Sequence, residues 1–336
     1  MELEPYSTAR DEYSGSLGVF LDANESPYPT GWNRYPDPRQ TALKDAIAPL
    51  KGVKRENIFL GNGSDEAIDM IFRVFCTPGK DNVVAISPSY GMYSVCAKIN
   101  DVELRTVRLG EGYSLPVEKL LASCDKNTKA MFLCSPNNPT GNAFPRSRME
   151  EILERFNGIL VVDEAYIDFS SEPSMVSLIE KYPRLVVLQT FSKARGLAAL
   201  RLGMAFADPV TISLMSMVKY PYNVNESTQR LALEALESPI DGLVEEIKSQ
   251  RKLLAEALEG LGFVEKVYPS DANFLLVKVK DADGLYAHLI RCGIIVRNRT
   301  RVEGCSGCLR ITVGLPEENE KLLKSLDDYE KGDIRG

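Results

Sequence analysis

The chain has a single histidine, His288, in 336 residues. That scarcity excludes a histidine-rich metal centre, and a Ser–His–Asp hydrolase could be built only around this one side chain. His288 is spaced with Leu285, Leu289 and Cys292 so that all four share one helix face, which reads as packing. If the protein is an enzyme, groups other than histidine move its protons. A long apolar run is also missing: no stretch approaches the ~18–20 residues that span a bilayer. The opening Met1-Glu-Leu-Glu-Pro-Tyr6 has no basic segment followed by an apolar one, so no secretory signal is expected. Positive charge is in deficit, with 40 Lys plus Arg against 47 Asp plus Glu and a net charge of −7. A general nucleic-acid surface is therefore not expected. The seven cysteines are odd in number and scattered, which favours reduced thiols and a cytoplasmic setting over a disulfide framework. Cys305 and Cys308 form a lone C-x-x-C without two further ligands at zinc spacing, and read as packed thiols.

What is present is an ordinary globular composition, 44% apolar and 26% charged, in a chain long enough for about two domains. The first 30 or so residues lack periodicity and read as an extended arm. Short β-rich runs then alternate with helical patterns. Candidate strands lie at 58–60, 83–86, 130–134, 159–162 and 185–189, and helix-like segments at 64–75, 90–99 and 146–156. Apolar strands alternating with helices predict an α/β fold, a mostly parallel sheet covered on both faces. Beyond residue 207 come helical stretches at 209–219, 227–236 and 243–261, strands at 273–280 and 308–313, and a final charged helix. The expected division is an arm over 1–30, a large domain over 31–225 and a smaller α+β domain over 226–336.

Polar clusters follow five of these strands. Ligands in open α/β sheets bind beyond the carboxyl ends of the strands, so the clusters are the candidate site. The first, G-N-G-S-D-E at 61–66, opens a helix and offers backbone N–H groups to an anion, or is simply a helix cap. The second, S-P-S-Y-G-M-Y at 87–93, carries Tyr90, a stacking aromatic or a packing residue. The third, C-S-P-N-N-P-T-G at 134–141, is a tight turn. In the fourth, V-D-E-A-Y at 162–166, Asp163 ends a buried strand and needs a cationic partner. The fifth, T-F-S-K-A-R-G at 190–196, sets Lys193 among small and apolar neighbours, where desolvation would lower its pKa and make it nucleophilic. A lysine for a Schiff base, an aspartate for a pyridinium nitrogen, an anion pocket and a stacking tyrosine are together what pyridoxal phosphate requires.

The ordered set N-G-S-D-E, S-Y-G-M-Y, S-P-N-N-P-T-G, D-E-A-Y and S-K-x-x-G-L-x-x-L-R-x-G resembles the fold-type I, class II pyridoxal-phosphate aminotransferases. The segments P-Y-S-T-A-R at 5–10, L-D-A-N-E at 21–25, N-R-Y-P at 33–36 and S-G-C-L-R-I-T-V-G at 306–314 resemble the histidinol-phosphate branch of that family. The resemblance spans nearly the whole chain. It implies a transferase that moves the amino group of histidinol phosphate to 2-oxoglutarate, with pyridoxal 5′-phosphate as cofactor. Lys193 would bond to the cofactor, Asp163 would face the ring nitrogen, Tyr166 and Asn138 the ring hydroxyl, and Tyr90 the ring face. Ser64, Asp65, Ser192 and Arg201 would surround the cofactor phosphate. Tyr35 would reach the phosphate of a second subunit's cofactor, implying a homodimer with shared sites. Arg310 and Arg297, 13 residues apart, would take the substrate's far end, with Tyr6 and Asn24 helping to enclose it. Arg299 and Arg301 read as a solvated basic edge. Two departures stand out: the segment before Pro5 is short, and Arg195 stands where the family commonly has an apolar residue. Aromatic amino-acid transamination, or decarboxylation of a phosphorylated amino acid, would use the same cofactor residues. A non-catalytic cofactor-sensing domain is disfavoured by the acidic chain and the absence of room for a DNA-binding module.

Overall fold

The computed structural model describes residues 18–332. A seven-stranded sheet forms the centre of the larger part. Its strands are β1 (Ile58–Asn62), β2 (Asn82–Ser87), β3 (Glu103–Arg108), β4 (Thr128–Cys134), β5 (Ile159–Asp163), β6 (Leu185–Thr190) and β7 (Leu202–Ala207), in the order β1-β7-β6-β5-β4-β2-β3. Pairing is parallel from β6 to β3, and β7 alone runs against the rest. The expected mostly parallel α/β sheet is therefore observed.

The strands are near-continuous apolar runs because both faces are covered. Alternate residues feed opposite cores. Leu60, Val84, Met131, Leu133, Val162 and Val187 enter one, and Phe59, Val83, Phe132, Val161 and Val186 the other. The helices of the large part are α1 (Thr41–Lys51), α2 (Ser64–Phe75), α3 (Met92–Ile99), α4 (Val117–Ala122), α5 (Arg146–Arg155), α6 (Pro209–Val218) and α7 (Glu226–Leu236). The α2 helix buries Ala67, Ile68, Ile71 and Phe72 against the second core. Ala232, Leu233 and Leu236 of α7 pack on the first.

The smaller part begins with α8 (Asp241–Glu259) and continues through β8 (Val264–Val267), β9 (Phe274–Val279), α9 (Ala282–Arg291), β10 (Arg297–Asn298), β11 (Cys308–Thr312) and α10 (Pro316–Glu330). Its four strands form an antiparallel sheet, β10-β11-β9-β8. One face packs through Leu275, Val277, Leu309 and Ile311 on Leu254, Leu285 and Leu322 of the helices. The other face turns to the large domain, where Leu276, Cys305 and Cys308 join the first core. Both thiols of the C-x-x-C are thus buried packing groups. His288 is buried on α9, with Nε2 3.0 Å from the Ser325 carbonyl, a packing position as its spacing implied. Among the described residues no helix is long and apolar enough to cross a membrane.

Candidate active site

Strands β1, β2, β4, β5 and β6 point the same way, so the loops at their carboxyl ends meet at one edge of the sheet. Because β7 runs against them, Arg201, just before it, arrives at that edge too. Nine expected residues (Ser64, Asp65, Tyr90, Asn138, Asp163, Tyr166, Ser192, Lys193 and Arg201) line a single cavity there, together with Cys134, Ala165, Thr190 and Ala198.

At one end the cavity is an anion cradle. The α2 helix starts at Ser64 with no side chain capping its first turn, which leaves its N–H groups and the positive end of the helix open. Arg201 takes a left-handed backbone (φ 54°), its carbonyl accepts from the Gly63 N–H at 2.6 Å, and its guanidinium lies beside that glycine. A Cβ at Gly63 would stand 2.6 Å from Arg201 Nη2, and one at Gly203 only 2.1 Å from the Ser64 nitrogen. Gly203 is therefore required for the close approach of helix and strand, and Gly63 for its left-handed backbone at φ 74°. Ser192 and Thr190 complete this end, their hydroxyls 2.9 Å apart.

At the centre Lys193 projects toward the Tyr166 ring, with Nζ 5.5 Å from its centroid. Burial, reinforced by the Arg310 cation, lowers the lysine pKa, which is the desolvated state its neighbours implied. Tyr166 receives a hydrogen bond from Asn138 Nδ2 at 3.3 Å. The Tyr90 hydroxyl donates to Asp65 Oδ1 at 3.0 Å, which fixes the ring at the cavity wall.

Asp163 departs from expectation. No lysine or arginine among the described residues forms an ion pair with it; instead the Tyr93 hydroxyl donates to Oδ2 at 2.9 Å and the Ala165 N–H to Oδ1 at 3.2 Å. Burial pushes its pKa up to about 6, although both hydrogen bonds favour the charged form. A buried carboxyl that lines the cavity and forms no ion pair among the described residues fits a cationic ring nitrogen from a ligand. Tyr93 was not singled out from the sequence, although it stands three residues after Tyr90 in the same motif. It is fully buried against Phe132, and an aromatic in an apolar pattern gives no sign that its hydroxyl is in use. Glu164 was also missed. It turns away from the cavity and accepts from Ser174 Oγ, the Met175 N–H and Gln189 Nε2 at 2.6, 2.6 and 2.9 Å. Burial raises its pKa to about 7, and the three bonds pin the loop that carries Tyr166.

From the smaller domain, Arg310 Nη1 donates to Asn138 Oδ1 at 2.5 Å, and the guanidinium lies 5.2 Å from the Phe274 ring centroid. Its Nε is buried without a partner among the described residues. Arg297 is its direct opposite in the β10–β11 ladder. Arg299, expected on a solvated edge, is instead half-buried with an enclosed Nε; Arg301 is exposed as expected. Tyr35 and Asn24 lie apart from this cavity. They line a second hollow with Trp32 and Asn225, where the Tyr35 ring stacks on Tyr222 at 4.4 Å between centroids. Tyr6 lies outside the described residues.

Cavity, cradle and lysine are those of a cofactor-dependent transferase of the α/β class. The profile of the class I and II aminotransferases matches residues 22–326, and the chain belongs to that family. A histidinol-phosphate aminotransferase of Parabacteroides distasonis is 55% identical over 96% of this chain and 94% of its own. Among solved structures, the histidinol-phosphate aminotransferase of Clostridium acetobutylicum superposes with a TM-score of 0.82 at 25% identity, covering 90% of this chain and 92% of the other. That of Sinorhizobium meliloti, solved with pyridoxal 5′-phosphate, gives 0.81 at 26% identity and covers 92% and 90%.

Proposed function

We propose that the protein transfers the amino group of L-histidinol phosphate to 2-oxoglutarate, giving imidazole-acetol phosphate and L-glutamate, a step of histidine biosynthesis. The carrying observation is the single cavity in which a desolvated lysine, an unpaired buried aspartate and an open helix N-terminus face one another. Pyridoxal phosphate, which these groups fit, supplies an aldehyde to carry the amino group and a protonated ring to draw electron density from the substrate.

Lys193 would hold the cofactor covalently, and its lowered pKa favours the neutral amine that reaction needs. The same Nζ would take the proton from the substrate Cα and deliver it onward, as base and then acid. Asp163, held ionised by Tyr93 and Ala165, keeps the ring nitrogen protonated. Asn138 and Tyr166 hold the ring hydroxyl, and Tyr90 covers the ring. The N–H groups of Ser64 and Asp65, the Ser192 hydroxyl and Arg201 hold the phosphate. Arg310 and Arg297 bind the substrate's far end, two guanidinium groups for one phosphate. Donor and acceptor use the same site in turn, so the kinetics are ping-pong.

The working unit is a homodimer, in which Tyr35 completes the partner's site. The large domain runs through α7 and the small one starts at α8. The cytoplasm is the compartment, in keeping with free thiols at all seven cysteines. Replacing Lys193 by alanine tests the mechanism. The variant should lose the absorbance of the lysine-bound cofactor and nearly all turnover; a Lys193→Ala protein of normal activity would eliminate it.

A further inference from the structure

The face of the small sheet that looks at the large domain carries more positive charge than two arginines. Beyond the Arg297–Arg310 pair, the Arg299 N–H continues the ladder to the Cys308 carbonyl at 2.8 Å. Alternate residues of a strand share a face, so Arg299 lies with Arg297, Arg310 and Cys308. Cys308 and Leu276 belong to the large domain's core, so that face looks to the large domain, and Arg310 on it reaches Asn138 of the cavity wall.

Among the described residues Arg299 makes no side-chain hydrogen bond and no ion pair, and its Nε is enclosed, as is that of Arg310. The nearby acids are engaged elsewhere. Glu303 accepts from Ser87 Oγ at 2.6 Å, and Asp283 from Asn298 Nδ2 at 2.6 Å. Burial, then the Arg297 charge, lowers the pKa of Arg299. After burial, Arg299 is the largest influence lowering that of Arg310. Like charges on neighbouring strand positions repel, and an enclosed cation without a counter-ion is costly. A ligand with two negative charges relieves both.

We propose that Arg299 is a specificity-determining residue, a third cation that selects a dianionic phosphate monoester over a singly charged group at the substrate's far end. The proposal rests on the reading of Arg297 and Arg310 as the arginines of that end.

The test uses the holoenzyme and its reaction with glutamate, inhibited either by propyl phosphate or by the singly charged propyl sulfate. The pH is held well above the phosphate ester's second pKa of about 6. The readout is the ratio of the two inhibition constants, from which any general loss of activity cancels. Wild type should prefer the phosphate ester, and Arg299→Gln should shrink that preference about tenfold, the low end of a charge-assisted contact. Arg299→Met, which keeps the packing of the side-chain stem, should do the same and serves if the glutamine variant does not fold. An unchanged ratio, or equal weakening of both esters, overturns the proposal. Turnover of histidinol phosphate by wild type is measured alongside. Its absence would overturn the substrate reading, while the ester ratio would still decide the role of Arg299.

Discussion

Arg297 and Arg310 stand directly opposite each other across the β10–β11 ladder. They are not equivalent. Arg310 is largely withdrawn from water and bound to Asn138, at the cavity itself, whereas Arg297 is exposed at the sheet edge. In the proposed reading, a substrate reaching from Lys193 toward the small domain would meet Arg310 first and Arg297 beyond it.

Removing the two arginines should therefore give different results. Arg310→Ala should impair histidinol phosphate and glutamate alike, because every substrate passes Asn138 and Arg310. Arg297→Ala should impair histidinol phosphate about 10- to 150-fold more than glutamate, the range for a lost charge-assisted contact of roughly 1.5–3 kcal/mol. Comparison of kcat/KM for the two donors is the measurement. Equal losses on removing Arg297 would contradict its assignment to the phosphate.

Tyr93→Phe keeps the ring that packs on Phe132 and removes the hydroxyl that donates to Asp163. That bond lowers the aspartate pKa against the pull of burial, so its loss should raise the pKa further above about 6. In the cofactor-free protein more of Asp163 is then protonated near neutral pH. A neutral carboxyl cannot pair with a ring cation, so cofactor affinity should fall roughly 10-fold. The deficit should widen as pH drops from 8 toward 6 and narrow above 8. Titration of the apoprotein with pyridoxal phosphate across that range checks the sign; a pH-independent loss would assign Tyr93 a packing role alone.

Tyr35 is half exposed, and its ring rests on Tyr222 outside the Lys193 cavity. If it acts in the partner's site, dimers that mix Tyr35→Phe subunits with Lys193→Ala subunits keep one intact site, since both lesions fall in the other. If it acts within its own subunit, every site of the mixed dimer is defective. Recovery of activity on mixing the two inactive or impaired proteins distinguishes the arrangements.

The strands that carry the site were legible because β2, β4, β5 and β6 are buried on both faces and read as unbroken apolar runs. Two strands of the large sheet were not. The edge strand β3, Glu-Leu-Arg-Thr-Val-Arg, carries charge on its exposed positions. The antiparallel β7, Leu-Gly-Met-Ala-Phe-Ala, carries a glycine where the start of α2 leaves no room for a side chain, at Gly203. The polar clusters at the strand ends announced most of the cavity. What stayed hidden depended on distant pairing: Tyr93 beneath Asp163 is 70 residues away in sequence, and the Arg310–Asn138 bond spans 172. The enclosure of Arg299 likewise depends on β11 and the large domain's core, which an alternating run of arginines does not reveal.

The central claim is that histidinol phosphate is the amino donor. Mixing the holoenzyme with single donors in the absence of an acceptor, and following loss of the lysine-bound cofactor's absorbance, tests it most directly. Histidinol phosphate should discharge that absorbance at concentrations about 10- to 150-fold below those needed for phenylalanine or tyrosine, given the extra charge-assisted contacts. Later addition of 2-oxoglutarate should restore it. Equal or better use of the aromatic amino acids, or discharge of a phosphorylated amino acid with release of carbon dioxide, would contradict the account.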